Sequence, residues 1–483
     1  MFFVIGLALV QYATPNLPDN DGFYHIKFAW LMRTEGLKPD FNWLPLSILN
    51  AEDYYDHHFL YHILLIPFTF GDLVTGAKWA AIIIPALSFL AVWFFLDQSR
   101  VPLAWVWAAA LLGASEAFLF RMSIPRAQAL SVGLLALCML WINQEKIWHL
   151  LALGFLFVWS YNAFPLLAVL AGLYALASLI TDRSFRWKPL AFVLLGIALG
   201  LVINPYFPQN ILFTINHILP KLTQPEVSGL GNEWFPYTTA QVLENAFPAL
   251  LLFASATLGI GLSGKKIDKF TLFALLTALL FALMFFQARR FVEYFPPFAL
   301  ILAAFAWSPL IGNLLNSSKQ ASSCHPFHHR TWGVVAMILL VILSSAFSIM
   351  RAGNIMRTAK PADLYADGAR WLQDNTPAGS LVFHTDWDDF PRLFFYNSHN
   401  VYLAGLDPTY FQLYDEHLYN LWVKITRGDV QNLSASILEN FDTRFVHTDL
   451  KHSDFLDVAG SDPDMVEVFR DDQNVIFKII AEP

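Results

Sequence analysis

The chain has 483 residues, of which 56% are hydrophobic and only 14% are charged. Soluble globular proteins carry about 25% charged residues, so this composition excludes an ordinary soluble enzyme and predicts a polytopic membrane protein. The net charge of −8 belongs to the C-terminal region, because Arg351 to Pro483 carry 21 acidic and 11 basic residues. Such a region is typical of a solvated domain, and we expect no nucleic-acid partner.

Eleven apolar segments approach the length of about 20 residues that a helix needs to cross a bilayer. We expect spans at 1–14, 77–96, 103–120, 128–142, 147–163, 164–181, 189–204, 244–262, 270–286, 293–312 and 332–350. The first span is short and lacks the features of a cleavable signal peptide. Either its surroundings complete it, or the true start of the protein lies upstream. The short apolar segment 59–70 fits an interfacial or re-entrant helix better than a span.

The charges of the loops orient these spans. Basic residues cluster in the loops 183–188, 265–269 and 313–331. The positive-inside rule assigns all three loops to the cytoplasm, which eleven spans allow and twelve do not. The loop 15–76, the loop 205–243 and the C-terminal region are then extracytoplasmic. We therefore predict a transmembrane domain over 1–350, with interfacial helices in 15–76, and an extracytoplasmic soluble domain over 351–483.

The C-terminal region alternates the patterns of helices and strands. An amphipathic helix is predicted at 362–374, and buried strands are predicted at 380–385, 444–448, 465–469 and 475–480. This pattern indicates a small α/β domain, and it contains no Gly-rich phosphate loop. The segment from His384 to Asp389 resembles a metal-binding or sugar-binding cluster. Alternatively, Asp388 caps a helix over 390–396.

The first extracytoplasmic loop carries the strongest candidate for chemistry. Asp21 and His25 are four residues apart and share one face of a helix. A carboxylate and imidazoles beside the membrane surface suit a general base for a sugar-acceptor hydroxyl, or a divalent metal site. Alternatively, Asp19 and Asp21 only cap the helix that begins near Gly22. The candidate residues of this loop are Asp21, Tyr24, His25, Asp56, His57 and His58.

A second candidate is the hairpin 116–128, which has charges in apolar surroundings. Buried charges near a membrane are costly, so they are usually paired or functional. One interpretation pairs Glu116 with Arg121 or Arg126 to lock the hairpin. In the other, Arg126 and Gln128 face a polar cavity and hold sugar or phosphate.

A third candidate is the segment 287–296, which includes Arg289, Arg290 and Glu293. Arginines on the extracytoplasmic side oppose the positive-inside trend, which suggests a bound anion, and a guanidinium fork suits a phosphodiester. Alternatively, one of the two arginines pairs with Glu293 at the interface. Glu233 is a candidate substrate-binding residue in the loop 205–243, which is expected to cover the site.

In order and predicted side, these three segments resemble the GT-C superfamily of multi-spanning glycosyltransferases, especially the catalytic subunit of oligosaccharyltransferase and its bacterial relatives. The acidic segment from Asp19 to His25 is similar to the first-loop acid of that family. Arg121 and Arg126 are similar to its arginine-bearing turn, and the pair Arg289-Arg290 to its lipid-phosphate arginine. The resemblance implies an α-helical GT-C-like membrane protein with a soluble C-terminal α/β domain.

The resemblance also implies a function: inverting transfer of a sugar or glycan from a polyprenyl-phosphate-linked donor to a glycan, lipid or protein acceptor. Asp21 would act as the base, and Arg289 or Arg290 would bind the leaving phosphate. A divalent metal such as Mg or Mn is a possible cofactor, with Asp21, His25, Asp56 and His58 as candidate ligands. The alternatives are a transporter or lipid flippase, and a noncatalytic membrane subunit. A bacterial inner membrane is the expected location.

The sequence departs from the oligosaccharyltransferase pattern at two places. The turn that includes Arg126 has no carboxylate after Arg121, where that family has its own acids for the metal. The C-terminal region has Trp387-Asp388-Asp389 instead of the Trp-Trp-Asp motif that binds the acceptor. Asparagine-linked transfer is therefore not predicted.

Overall fold

The computed structural model of the chain describes residues 1–218, 232–316 and 327–481. Two basic residues of the loop 313–331, which is predicted to be cytoplasmic, are not fully covered: Lys319 and the side chain of Arg330 lie outside the described part. The N-terminal part is helical. Its helices are α1 (Phe2–Gln11), α2 (Asn20–Glu35), α3 (Phe59–Leu65), α4 (Leu73–Gln98), α5 (Ala104–Ala109), α6 (Glu116–Met122), α7 (Gln128–Asn143), α8 (Ile147–Ser160), α9 (Pro165–Asp182), α10 (Lys188–Val202), α11 (Gln209–Phe213), α12 (Thr239–Leu262), α13 (Lys269–Gln287), α14 (Phe295–Asn316) and α15 (Phe327–Met356).

The chain is an integral membrane protein. Six of its described helices, namely α4, α9, α12, α13, α14 and α15, are long and apolar enough to cross a membrane. Shorter apolar helices occupy the other five predicted spans, so helix length does not establish the count of eleven. The segment 59–70 contains α3 and a 3₁₀ turn, Ile66–Thr69, as expected for a short helix.

The span predicted at 103–120 is broken. It consists of α5, a 3₁₀ turn over Ala110–Gly113, and α6. The hydroxyl of Ser115 accepts a hydrogen bond of 3.0 Å from the backbone N–H of Phe118, which caps a new helix. Gly113 packs directly against Ser344 and Ser345 of α15, where a larger side chain would collide. Helix α15 continues to Met356, six residues past the predicted boundary at 350.

A five-stranded sheet forms the centre of the C-terminal region. Its strands are β1 (Leu381–His384), β2 (Val401–Tyr402), β3 (Phe445–Asp449), β4 (Met465–Arg470) and β5 (Asn474–Ile479), in the order β2-β1-β3-β5-β4. Strands β1, β2 and β3 are parallel, and β5 is antiparallel to both β3 and β4. The helices around the sheet are α16 (Ala366–Asn375), α17 (Phe390–Tyr396), α18 (Pro408–Tyr414), α19 (Glu416–Thr426), α20 (Leu433–Phe441) and α21 (Ser453–Ser461).

The C-terminal domain docks on the first loop of the membrane part. Phe28 and Phe41 of that loop share one buried cluster with Phe390 and Phe394 of the domain. Polar groups fix the contact at the start of α2. The amide of Asn20 donates to Asp388 Oδ2 (2.7 Å), and its carbonyl accepts from Arg392 Nε (2.7 Å). The domain therefore holds α2 at the residue between Asp19 and Asp21.

Candidate active site

Helix α2 begins beside an arginine of the 116–128 hairpin. Asp19 occupies the N-cap position but makes no side-chain cap hydrogen bond. Instead it accepts two bonds of 2.6 Å from Nε and Nη2 of Arg126, and Asp21 lies 2.9 Å from the same Nη2. The helix packs so closely that a Cβ at Gly22 would collide with the ring of Pro125. Asp19 and Asp21 therefore do not simply cap α2, because both side chains pair with Arg126.

Asp21 has an environment that suits proton transfer near neutral pH. Its side chain is 22% exposed. Burial raises the pKa of Asp21 to about 7; Arg126 opposes this rise, and the neighbouring acids Asp19 and Asp388 add to it. A carboxylate with such a pKa can accept a proton at neutral pH and release it again.

Four further predicted residues join in a second ionic group. Arg121 donates its Nε to Glu293 (2.7 Å) and its Nη2 to Glu233 (3.1 Å). Arg290 donates to the other oxygen of Glu233 (2.8 Å) and to the hydroxyl of Tyr161 (2.7 Å). Glu293 is fully buried, and its Oε2 has no partner among the described residues. We call Asp19, Asp21, Arg126, Arg121, Glu233, Glu293 and Arg290 the ionic cluster.

The pairing of these charges differs from the pairing expected from the sequence. Glu116 binds neither Arg121 nor Arg126, because both of its oxygens accept from Arg351 of α15, at 2.7 and 2.9 Å. Glu293 pairs with Arg121 and not with the adjacent arginines. Both expected pairings were based on closeness in the sequence. The observed partners of Glu116 and Glu293 come instead from distant parts of the chain.

Glu233 holds two arginines of the cluster. Burial raises the pKa of its carboxyl group, but Arg290, Arg121 and Arg126 together lower it to about 2. Glu233 is therefore an anion under all physiological conditions. It occupies the guanidinium donors that would otherwise be available to an anionic ligand.

A chain of hydrogen bonds lies beside the ionic cluster. Asp56 Oδ2 accepts from His62 Nδ1 (2.8 Å), and His62 Nε2 lies 2.8 Å from Nδ1 of His25. The second oxygen of Asp56 accepts from the backbone N–H of His58 (2.9 Å). Asp56, His62 and His25 are all buried. His25 connects this chain to the cluster, because it lies one helical turn after Asp21 on α2.

The remaining predicted residues have other surroundings. His57 and His58 contact each other (ring centroids 4.1 Å apart), and His58 also stacks on Tyr161. Tyr24 lies in the aromatic core, with its hydroxyl 3.1 Å from that of Tyr54. Gln128 is buried and donates to the backbone oxygen of Arg121. Arg289 lies over the ring of Tyr237 and donates to the backbone oxygen of Pro236.

The candidate metal ligands do not fit a metal site in this arrangement. Asp21 pairs with Arg126, while Asp56 and His25 are both bonded to His62. Within residues 1–218, 232–316 and 327–481, no three His, Cys, Asp or Glu side chains form a group that could hold a metal ion.

Several residues of the site were not among the predicted site residues. Tyr161 and His62 contribute hydrogen bonds from the end of α8 and from α3, and Asp388 approaches from the C-terminal domain. The spacing of His58 and His62 indicates a shared face but does not indicate that His62 bonds to Asp56 and His25. No signal in the sequence indicates the contact between Asp388 and Asn20, which are 368 residues apart.

No model of a protein family matches this sequence, and no curated protein matches it. Solved structures do match. The fold is that of the GT-C glycosyltransferases, as the resemblance predicted. One match is the archaeal oligosaccharyltransferase AglB from Archaeoglobus fulgidus, in complex with an inhibitory peptide and a dolichol-phosphate. Its TM-score is 0.63 at 15% identity, over 94% of this chain and 69% of that one.

A second match is ArnT from Cupriavidus metallidurans bound to undecaprenyl phosphate. Its TM-score is 0.58 at 16% identity, and it covers 99% of this chain and 95% of the other. Another structure of the Archaeoglobus fulgidus oligosaccharyltransferase, a complex with Zn and sulfate, has a TM-score of 0.60 at 14% identity, over 95% of this chain and 69% of that one. At such identities the likeness establishes the fold alone.

Proposed function

We propose that this protein transfers a sugar or glycan from a polyprenyl-phosphate-linked donor to an extracytoplasmic acceptor, with inversion at the anomeric carbon. The observation that carries the proposal is the convergence of Asp21, Arg126, Arg121 and Arg290 from three separate segments. The GT-C fold supports it, since two structures with this fold contain dolichol-phosphate or undecaprenyl phosphate. A base and several arginines are what such a transfer requires.

In this proposal Asp21 is the base. The acceptor hydroxyl attacks the anomeric carbon from the face opposite the phosphate, so a single displacement inverts the configuration. Asp21 takes the hydroxyl proton as the new glycosidic bond forms. The old bond between carbon and phosphate oxygen breaks, and its electron pair leaves with the lipid phosphate. A pKa of about 7 allows Asp21 to be ionised at the start of each cycle.

Arg290 is the proposed ligand of the donor phosphate. Its guanidinium is about one quarter exposed and already binds a carboxylate, Glu233, in a geometry that suits an anion. The donor phosphate would replace Glu233 on Arg290 and Arg121. The tyrosine hydroxyl of Tyr161 would keep the guanidinium in place during this exchange. Charge that develops on the leaving phosphate would then face preorganised cations.

A transporter or lipid flippase is the alternative from another functional class. Transporters place ionisable groups near the middle of the membrane, on broken helices. Here Arg121 lies at the end of α6, Tyr161 follows α8, and Arg290 lies in the short turn between α13 and α14. This grouping at helix ends favours chemistry at a membrane surface, which we place on the outer face of a bacterial inner membrane.

The test is transfer of a labelled sugar from polyprenyl-phosphate donors to cell-envelope acceptors. Membranes would contain the wild-type protein, Asp21→Asn, Asp40→Asn or no protein, at equal protein levels. Asp40 is an exposed acid of the same loop and serves as the matched control. We expect transfer by the wild type and by Asp40→Asn, and at least a 100-fold loss in Asp21→Asn, which is the lower range of a lost general base (about 10²–10⁴-fold). Full transfer by Asp21→Asn would refute its role as the base.

A further inference from the structure

The hydrogen-bond chain from Asp56 through His62 to His25 can have either of two polarities, and the number of protons on the central His62 ring decides between them. An ionised carboxylate only accepts hydrogen bonds, so the proton between Asp56 and His62 is on His62 Nδ1. If this is the only proton on the His62 ring, Nε2 of His62 carries a lone pair and accepts from His25. In that polarity His25 carries its proton on Nδ1 and has a lone pair on Nε2. Burial, His62 and Arg126 lower the pKa of His25 well below its usual value, which keeps its ring neutral.

Nε2 of His25 is available to a ligand. It has no hydrogen-bond partner among the described residues, and it is not one of their fully buried orphan atoms. An accessible ring nitrogen without a protein partner can form a hydrogen bond with a ligand or a water. Because the other ring nitrogen is already bonded, Nε2 offers this ligand a hydrogen-bond acceptor only.

The position of His25 indicates which group it meets. Arg290, the proposed phosphate ligand, bonds to Tyr161, and the ring of Tyr161 stacks on His58 (centroids 5.6 Å apart). The ring of His58 in turn lies against that of His25, at 4.9 Å. The rings of Tyr161, His58 and His25 thus form a continuous series of contacts that begins at Arg290. The group attached to the phosphate is the donor sugar, whose hydroxyls can each donate one hydrogen bond and also accept hydrogen bonds.

We propose that Asp56 and His62 are positioning residues that hold His25 in its Nδ1–H tautomer, so that Nε2 accepts a hydrogen bond from a hydroxyl of the donor sugar. This inference rests on the proposed function. It gives Asp56 and His62 a role through His25, and neither residue touches the substrate itself. His25 discriminates in favour of a sugar with a hydroxyl at this position, since a buried acceptor left without a donor weakens binding.

One substitution inverts the polarity without changing the shape. In Asp56→Asn the amide oxygen stays on the backbone N–H of His58, because only an acceptor fits there. The amide NH₂ then faces His62 Nδ1 and donates to it. His62 must protonate Nε2 and donate to His25 Nδ1, so His25 acquires a proton on Nε2. Nε2 then donates, so the sugar hydroxyl has to accept this hydrogen bond and direct its own proton elsewhere. The matched control is Asp53→Asn, an exposed acid of the same loop.

The experiment uses the full chain in lipid nanodiscs with nitrogen-15-labelled histidine. The signals of His25, one of 14 histidines, are identified by their loss in His25→Gln. In the wild type and Asp53→Asn we expect protonated Nδ1 and unprotonated Nε2. In Asp56→Asn we expect the reverse. Addition of a polyprenyl-phosphate hexose should shift the Nε2 signal of the wild type, whereas polyprenyl phosphate alone should not.

Transfer assays on the same variants complete the test. We expect kcat/KM to fall about 10-fold in Asp56→Asn, because the sugar hydroxyl loses its acceptor on Nε2, and to stay unchanged in Asp53→Asn. A protonated Nε2 in the wild type would overturn the proposal, and so would normal transfer by Asp56→Asn despite an inverted tautomer. If the wild type transfers no sugar from any donor, the proposed function fails. The tautomers and the hexose-dependent shift then decide separately whether His25 is held and used as an acceptor.

Discussion

Two groups of buried ionisable residues differ in how they compensate for burial. In the ionic cluster at the end of the helical bundle, arginines from distant segments bind the carboxylates, as in the pairs of Arg126 with Asp21 and of Arg121 with Glu293. The second group lies at the carboxyl end of β1 and in the middle of the neighbouring strand β3. There burial lowers the pKa of His384 to about 4 and that of His447 to about 3, so both rings are neutral.

The difference separates a site prepared for charged ligands from a polar core. Removal of charge from water is expensive, so a protein either pairs a buried charge or neutralises it. The C-terminal group follows the second course: burial and neighbouring acids raise the pKa of Asp389, and Lys360 only partly opposes them. In the ionic cluster the arginines retain their charges. Cations that remain charged in a partly exposed site can stabilise an anionic leaving group.

Among the substitutions that test this difference, removal of Arg290, the proposed phosphate ligand, should have the largest effect. In Arg290→Gln we expect KM for the polyprenyl-phosphate donor to rise about 10- to 100-fold, because a charged hydrogen bond contributes about 1.5–3 kcal/mol. Steady-state transfer at increasing donor concentration measures this. The matched control is Arg370→Gln, an exposed arginine of α16 that should leave KM unchanged. An unchanged KM in Arg290→Gln would assign the phosphate to another residue.

Removal of the Glu233 carboxylate, which competes with the donor phosphate for the arginines, should change KM in the opposite direction. Glu233→Gln frees Arg290 and Arg121 from an anion that the donor must displace. We expect KM for the donor to fall about 3- to 10-fold, equivalent to roughly 1 kcal/mol. The same donor titration applies, with the exposed Glu52→Gln as control. A rise in KM would instead make Glu233 a substrate ligand.

The electrostatic effect of the C-terminal domain on the ionic cluster can be tested by measuring how activity depends on pH. Asp388 of the C-terminal domain adds to the elevation of the pKa of Asp21, and its own pKa of about 6 leaves it largely ionised at neutral pH. Transfer needs ionised Asp21, so activity should rise with pH through about 7. Asp388→Asn removes one negative charge and should move this rise to lower pH, by about 0.5 unit. A shift to higher pH would contradict the assigned electrostatics.

The smallest effect is expected for His447→Leu, in the group of buried polar residues of the C-terminal domain. Neither ring nitrogen of His447 has a hydrogen-bond partner among the described residues, whereas His384 bonds to the backbone of Asp386 and Ala404. His447→Leu should therefore leave the thermal unfolding midpoint unchanged or slightly raised. His384→Leu should lower it, through a loss of about 1–3 kcal/mol. Strong destabilisation by His447→Leu alone would reveal a partner for that ring.

Elements with a local pattern could be predicted from the sequence. The helix predicted at 390–396 is α17, and the four predicted strands coincide with β1, β3, β4 and β5 to within one or two residues. Their periodicity and turn residues are contained in short segments. The two-residue strand β2 was missed because two residues carry no period.

The composition of the site was predicted better than its connections. Asp21, Arg121, Arg126 and Arg290 stand out in the sequence because charges are rare among apolar segments. Their partners do not stand out: Arg121 bonds to Glu293 across 172 residues, and Asp19 bonds to Arg126 across 107. Such pairings depend on how helices pack, for instance on the close contact of Gly22 with Pro125, and a single sequence does not encode them locally.

The central claim is that Asp21 acts on the acceptor proton while the arginines bind the donor. The most direct test measures both steps on one variant. Purified wild type and Asp21→Asn would be titrated with a polyprenyl-phosphate sugar to obtain Kd, and then supplied with acceptor to measure turnover. We predict Kd values equal to within about twofold, the expectation for an interaction made only in the transition state, and turnover only in the wild type. Normal turnover by Asp21→Asn, or an equal loss of donor binding and turnover, would contradict the account.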